Sequence, residues 1–203
     1  AATAWNNHWN DITRACRGLV VNQNNDIIIR CWPKFFNLGQ DGGATPIKAD
    51  EHVSAWDKLD GSLILIGKDG DEEIVTTRGH MQSEQATWAR NWLKTARENG
   101  LDWQPEQHKS YFFEAIYPQN RIVVDYGQTE KLVWLGGLDN NTGEELDAQA
   151  AGWKHDKAEK IDEGTLTEVL ARHAPREGKE GLVLVTETGT RLKLKQAEYV
   201  QLH

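Results

Sequence analysis

Lys58-Leu59-Asp60-Gly61-Ser62 decides how this chain is read. It lies between two stretches of strand character, His52 to Lys58 and Ser62 to Lys68, and Asp60-Gly61 breaks the run. Residues two apart in an extended segment point to the same side, so Asp60 shares a side with Lys58. Gly61 lets the backbone approach a ligand closely. A lysine is normally protonated at neutral pH, and neighbouring cations together with removal from water free its lone pair for attack. Alone, the string reads equally well as an exposed turn.

Three downstream segments change that balance. Tyr111-Phe112-Phe113-Glu114-Ala115 sets a glutamate inside an apolar run, and Glu180-Gly181-Leu182-Val183-Leu184 opens a second apolar run with another. Burying an unpaired carboxylate is expensive, so each needs a lysine, an arginine or a hydrated metal ion nearby. In Arg191-Leu192-Lys193-Leu194-Lys195 the three cations share one strand face and the leucines share the other. A lysine pair of this kind is ordinarily a solvated face. Beside a nucleophile and three acids it becomes a phosphate site.

The chain has 203 residues and a net charge of −8. That length is enough for a substantial core. The negative charge weighs mildly against a nucleic-acid binder, because phosphate contacts need Lys and Arg, but a basic cleft can sit in an acidic surface. No run of about 18 apolar residues is present, so no membrane-spanning helix is expected. Cys16 and Cys31 are too few for a disulfide framework and read as reduced thiols in a cytoplasmic setting. The nine tryptophans are unusual; Trp88 and Trp92 have the spacing of neighbours on a helix.

The pattern predicts an α+β domain dominated by antiparallel strands. Strands are expected at Gly18–Val21, Ile27–Trp32, His52–Lys58, Ser62–Lys68, Glu73–Thr77, Tyr111–Ile116, Arg121–Asp125 and Leu132–Leu138, with a hairpin from Gly181–Val185 and Arg191–Lys195. Ser83 is expected to cap a helix that runs to about Asn99 and stops at Gly100. Thr165 and Glu168 have the spacing of a capping box for a second helix. Ala148 to Gly164 is read as a helix or a surface excursion.

The order Lys58-x-Asp60-Gly61, Glu114, Glu180-Gly181, Lys193-x-Lys195 resembles the motif series of the covalent nucleotidyltransferase superfamily, which includes DNA ligases, RNA ligases and mRNA capping enzymes. Cys16-Arg17-Gly18-Leu19, Lys34-Phe35-Phe36-Asn37, Arg78-Gly79 with Ser83-Glu84-Gln85-Ala86, Pro118-Gln119-Asn120-Arg121-Ile122-Val123, and Tyr199-Val200-x-Leu202-His203 narrow the resemblance to ATP-dependent RNA ligases of the T-even phage tRNA-repair type, the RNA ligase 1 family. The resemblance runs from about Arg14 to His203.

It implies an ATP-grasp-like ligase adenylation fold, with residues 1–203 as the adenylyltransferase domain of a phage-encoded or intracellular enzyme. It implies that Lys58 carries AMP and that Arg17 and Lys34 contact the β- and γ-phosphates. Arg78 joins the nucleotide contacts, although this type of ligase often has lysine there, and arginine presents a different donor geometry. Lys193 and Lys195 bind the α-phosphate. Asp60, Glu114 and Glu180 hold a magnesium or manganese ion, mostly through water, and Glu114 also contacts the ribose. The RNA partner would carry 5′-phosphate and 3′-hydroxyl ends, as a nicked tRNA does. Ligases of this type continue into a C-terminal RNA-specificity domain, whereas this sequence ends after the last motif, so strong adenylylation and weak sealing are expected of it. The alternatives are a non-catalytic RNA- or nucleotide-binding domain, a DNA ligase or a guanylyltransferase.

Overall fold

A computed structural model describes residues 9–38, 40, 47–173 and 179–195. Tyr199, Val200, Leu202 and His203 lie outside them. In chain order the elements are α1 (Asp11–Ala15), β1 (Val20–Val21), β2 (Ile27–Ile29), β3 (His52–Lys58), β4 (Ser62–Asp69), β5 (Glu72–Thr77), α2 (Glu84–Glu98), β6 (Lys109–Ile116), a 3₁₀ turn (Pro118–Asn120), β7 (Lys131–Asp139), β8 (Glu145–Leu146), β9 (Lys160–Thr165), α3 (Leu166–Arg172), β10 (Gly181–Thr186) and β11 (Arg191–Lys195). They form two main antiparallel sheets, ordered β5-β4-β6-β7-β8 and β11-β10-β3-β9, and the small pair β1-β2.

The five-stranded sheet is covered on both faces, which explains why β4 and β6 read as apolar runs rather than alternating ones, with Glu114 the exception in β6. On one face Ile64, Ile66, Tyr111, Phe113 and Ala115 pack with Ala89 and Leu93 of α2. On the other, Leu65 and Phe112 pack with Ile28 and Ile29 of β2. Much of the tryptophan content is spent here: Trp103, Trp134 and Trp153 surround Phe113 edge-on, at centroid distances of 5.5, 5.5 and 4.8 Å. Such pairs add to the energy of burial itself.

The helices begin where their caps place them. Ser83 Oγ accepts from the Ala86 amide, Asn99 caps the far end of α2, and Gly100 follows with φ +98°. Ala86, Ala89 and Leu93 form its buried stripe. Thr165 and Glu168 make a reciprocal capping box at α3, which packs Leu166 and Val169 onto the four-stranded sheet against Val53, Ala55, Leu182 and Leu184.

Two segments depart from the sequence expectation. Arg121–Asp125 is not a strand, despite the β-branched run Ile122-Val123-Val124. The backbone amides of Val123 and Val124 donate instead to the Asp60 carboxylate, at 2.8 and 2.7 Å, so they have no ladder to join. Of the two readings of Ala148–Gly164, the helix is absent and the surface excursion holds for the mostly exposed turns, but these lead into an unexpected β9, a polar edge strand paired with β3.

For function, the decisive feature is where β3 ends. β3 belongs to the four-stranded sheet and β4 to the five-stranded one. Leu59-Asp60-Gly61 is therefore the crossing between the sheets, and Lys58 stands at their seam.

Candidate active site

Register brings the Lys58 region together. Gly181 of β10 pairs with Lys58 of β3 on one side and with Lys195 of β11 on the other. Only glycine fits in this middle position: its φ is +150°, and a Cβ would sit 2.1 Å from the Leu194 carbonyl oxygen. Glu180, one residue earlier, is buried and accepts from Lys58 Nζ through Oε2, while its Oε1 lies 3.8 Å from Lys195 Nζ. Glu114 comes from the other sheet, with its Oε1 accepting from the Gly61 amide at 3.0 Å. Gly61 is equally constrained, since a Cβ would lie 2.4 Å from the Ala115 carbonyl oxygen.

Burial pushes the Glu114 carboxyl up to about 8, with Lys58 opposing the shift and Glu180 and Asp60 adding to it. A buried carboxyl that holds its proton this firmly favours a nearby cation. Among the described residues, no three Asp, Glu, His or Cys side chains converge to bind a bare metal ion. Asp60 commits Oδ2 to two backbone amides. The donor set therefore suits a hydrated ion approached through water rather than one ligated directly by three carboxylates.

The second half of the site is cationic. Arg17 follows α1, Lys34 follows β2, Arg78 follows β5, and Lys193 lies on β11 two residues before Lys195. Among the described residues, none of these four is paired with a carboxylate. They repel one another instead. Lys193 is held down to about 7 by burial first, then by Lys58, Lys34, Arg17 and Lys195. Lys34 is lowered by burial and by Arg17 and Arg78, and Arg17 by burial and by Arg78. Aromatic rings take the place of counterions: Lys34 Nζ lies 4.8 Å from the Phe36 centroid and 5.0 Å from that of Trp9, and Lys193 Nζ lies 5.1 Å from that of Phe35. The cation–ring attraction is about 0.5–1 kcal/mol at exposed sites and about 2 kcal/mol for a desolvated cation. It is too weak to explain why so many like charges are gathered.

Arg191 shares their strand face but not their situation. It stacks over Trp32 at 4.1 Å and pairs with Glu145 at 2.6 Å. Three groups not singled out by sequence reasoning prove to matter. Arg14 Nε donates to the Lys34 carbonyl while the Lys34 amide donates to the Arg14 carbonyl, fixing the Lys34 segment. Tyr126 Oη accepts from the Asp60 amide at 2.9 Å, and Asn120 Oδ1 accepts from Ser62 Oγ at 3.0 Å. Asn120 falls within the string Pro118 to Val123, whereas Tyr126 lies beyond it, and long-range hydrogen bonds leave no periodic signal.

The profile of an RNA ligase family matches residues 15–199. A protein of Autographa californica nuclear polyhedrosis virus described as a bifunctional polynucleotide kinase/RNA ligase is 26% identical over 217 residues, covering 93% of this chain and 30% of the viral one. Structures of Naegleria gruberi RNA ligase share the fold. The form with pyrophosphate superposes with a TM-score of 0.54 at 17% identity, covering 76% of this chain and 52% of that one. A variant with ATP and manganese gives the same values. The chain thus spans about a third of the viral relative and about half of the Naegleria ligase. With the family profile matched over nearly its whole length, this chain belongs to the RNA ligase family.

Proposed function

We propose that this chain is the adenylyltransferase domain, residues 1–203, of an ATP-dependent RNA ligase. The observation that carries the reading is the group of four cations beside Lys58 that, among the described residues, have no carboxylate partner, which suits a triphosphate. Lys58 Nζ attacks the α-phosphorus of ATP. An N–P bond forms, the bond to the bridging oxygen breaks, and pyrophosphate leaves with the electron pair toward Arg17, Lys34 and Arg78. Glu180, which accepts from Nζ in this geometry, is placed to take its proton. Lys193 and Lys195 neutralise the α-phosphate as charge develops. Asp60, Glu114 and Glu180 would hold a hydrated magnesium or manganese ion through water, and that ion would supply further positive charge at the phosphate.

AMP then passes from Lys58 to an RNA 5′-phosphate. A 3′-hydroxyl attacks that phosphate, AMP leaves, and the hydroxyl proton goes to solvent. Nicked tRNA is the substrate this reading favours, on the resemblance of the motifs. The unbonded thiols of Cys16 and Cys31 accord with an intracellular enzyme.

The test is incubation with α-labelled ATP or GTP and magnesium or manganese, followed by peptide mapping. ATP should leave AMP on Lys58, GTP should leave nothing, and Lys58→Ala should remove the label. Label on another residue, or none with ATP, would refute the reading.

A further inference from the structure

The segment after β6 encloses a cavity of about 250 Å³ beside the Lys58 turn. Its position is fixed relative to Lys58 by four hydrogen bonds: the Val123 and Val124 amides to Asp60 Oδ2, the Asp60 amide to Tyr126 Oη, and Ser62 Oγ to Asn120 Oδ1. The floor is formed by buried Asp60, Ile116 and Val124, and the rim by exposed Arg121, Asp125 and Gln128. Tyr117 forms one wall and is backed by Trp88, stacked at 4.3 Å and 11°.

The chemistry differs from that of the cation cluster. None of Arg17, Lys34, Arg78 and Lys193 lines this cavity. Arg121 does, but it is paired with Asp125 at 2.8 Å. Nothing here calls for a phosphate. Aromatic walls suit a base, the Gln128 amide can read a base edge, and the Asp60 carboxylate can accept from a ribose hydroxyl. The volume is below the roughly 300–1,000 Å³ of drug-sized sites, which suits a single nucleoside. The floor adjoins the reacting centre while the rim opens to solvent. This is the layout needed by the end of a chain that enters from outside, and a cofactor nucleoside has no such need of an exit.

We propose that this cavity binds the 3′-terminal nucleoside of the RNA strand that attacks in the last step, with its hydroxyls at the Asp60 end and the strand leaving past Arg121. The proposal rests on the ligase reading and assigns a place to its acceptor.

The test uses the whole chain and pentaadenylate with a free 3′-hydroxyl and a 5′-fluorophore, followed by anisotropy. Binding should weaken on the order of tenfold in Tyr117→Ala, the scale of a lost base stack, and persist in Tyr117→Phe, which controls for folding. It should also weaken when the last residue lacks both ribose hydroxyls, and ATP should not displace the strand. The ATP concentration giving half-maximal lysyl-AMP should be the same in wild type and Tyr117→Ala. A raised ATP requirement in that variant, or displacement by ATP, would assign the cavity to the adenosine of ATP and overturn the proposal. Oligonucleotide binding that is absent, or unaffected by Tyr117→Ala, would overturn it too. Failure of wild-type lysyl-AMP formation, with the oligonucleotide pattern intact, would sink the ligase reading and leave a site for ribonucleotide ends.

Discussion

Replacing Lys193 by methionine should stabilise the protein while disabling it. Burial and the surrounding Lys58, Lys34, Arg17 and Lys195 bring this ammonium from 10.5 to about 7. Between those values the unfolded chain binds more protons than the folded one, so the contribution of Lys193 to stability rises with pH across the window and is lost as pH falls through about 7. The full displacement corresponds to roughly 5 kcal/mol. Water penetration, relaxation and the lost contact with Phe35 reduce what a substitution recovers, so a gain of about 1–3 kcal/mol at pH 6 is expected. The gain should shrink by pH 9, where the wild-type lysine is already neutral when folded. Urea unfolding of both proteins at the two pH values measures this. Adenylylation by the variant should slow by about a hundredfold or more, as when a donor to a developing anion is removed. A Lys193→Met protein that is less stable than wild type at pH 6, or that adenylylates at a normal rate, would refute the claim that Lys193 is kept at a cost for the sake of a phosphate.

Glu114 should produce the opposite pH trend. Its carboxyl is raised from 4.5 to about 8, so the folded chain binds the extra proton in that window and stability falls as pH rises through it; Glu114→Gln should remove this fall in urea titrations at pH 5 and pH 8.5. Asp60→Ala should cost about 2–4 kcal/mol by stranding the Val123 and Val124 amides, and Asp60→Asn, which keeps one acceptor oxygen, should cost about half as much by thermal or urea unfolding. RNA-end binding should fall only shallowly with salt, corresponding to about 2–4 phosphates rather than an extended backbone; a logarithmic slope steeper than about −6 would contradict a site that grips ends.

Local signals were legible wherever the physics is local. The alternation of β3, the Ser83 cap and the Thr165–Glu168 box each depend on residues a few positions apart, and each stands where its pattern places it. Arg121–Asp125 misleads because its partner is Asp60, about 60 residues away, and β-branched side chains say nothing of where their amides donate. β9 escapes because a sheet-edge strand with Asp162, Glu163 and Gly164 lacks the apolar alternation of a half-buried one. The site divides the same way. Chain order and spacing select Lys58, Asp60, Glu114, Glu180, Lys193 and Lys195, and the fold brings them to one seam. The strand-face argument that selects Lys193 also selects Arg191, which the fold gives to Glu145 and Trp32.

The net charge of −8 and the cationic site belong to one design. Lys58 and Lys195 meet Glu180, Arg17 and Lys34 lie close enough to Lys193 to repel it, and Glu114 favours its neutral form near neutral pH. Positive charge is thus concentrated at the seam between the sheets, against an acidic background. Such a field draws in a compact polyanion and gives little purchase to a long backbone lying across the surface. ATP, pyrophosphate and the phosphorylated end of a strand are compact in this sense. The Lys58–Glu180 pair completes the arrangement. Without nucleotide, the carboxylate gives the lysine a counterion amid its like-charged neighbours. On the proposed reading, a triphosphate on Arg17, Lys34 and Lys193 relieves the repulsion that those cations impose on one another, and Glu180 stays within hydrogen-bond reach of Lys58 Nζ. The cations that make the empty site costly are therefore the ones that the proposed substrate would neutralise.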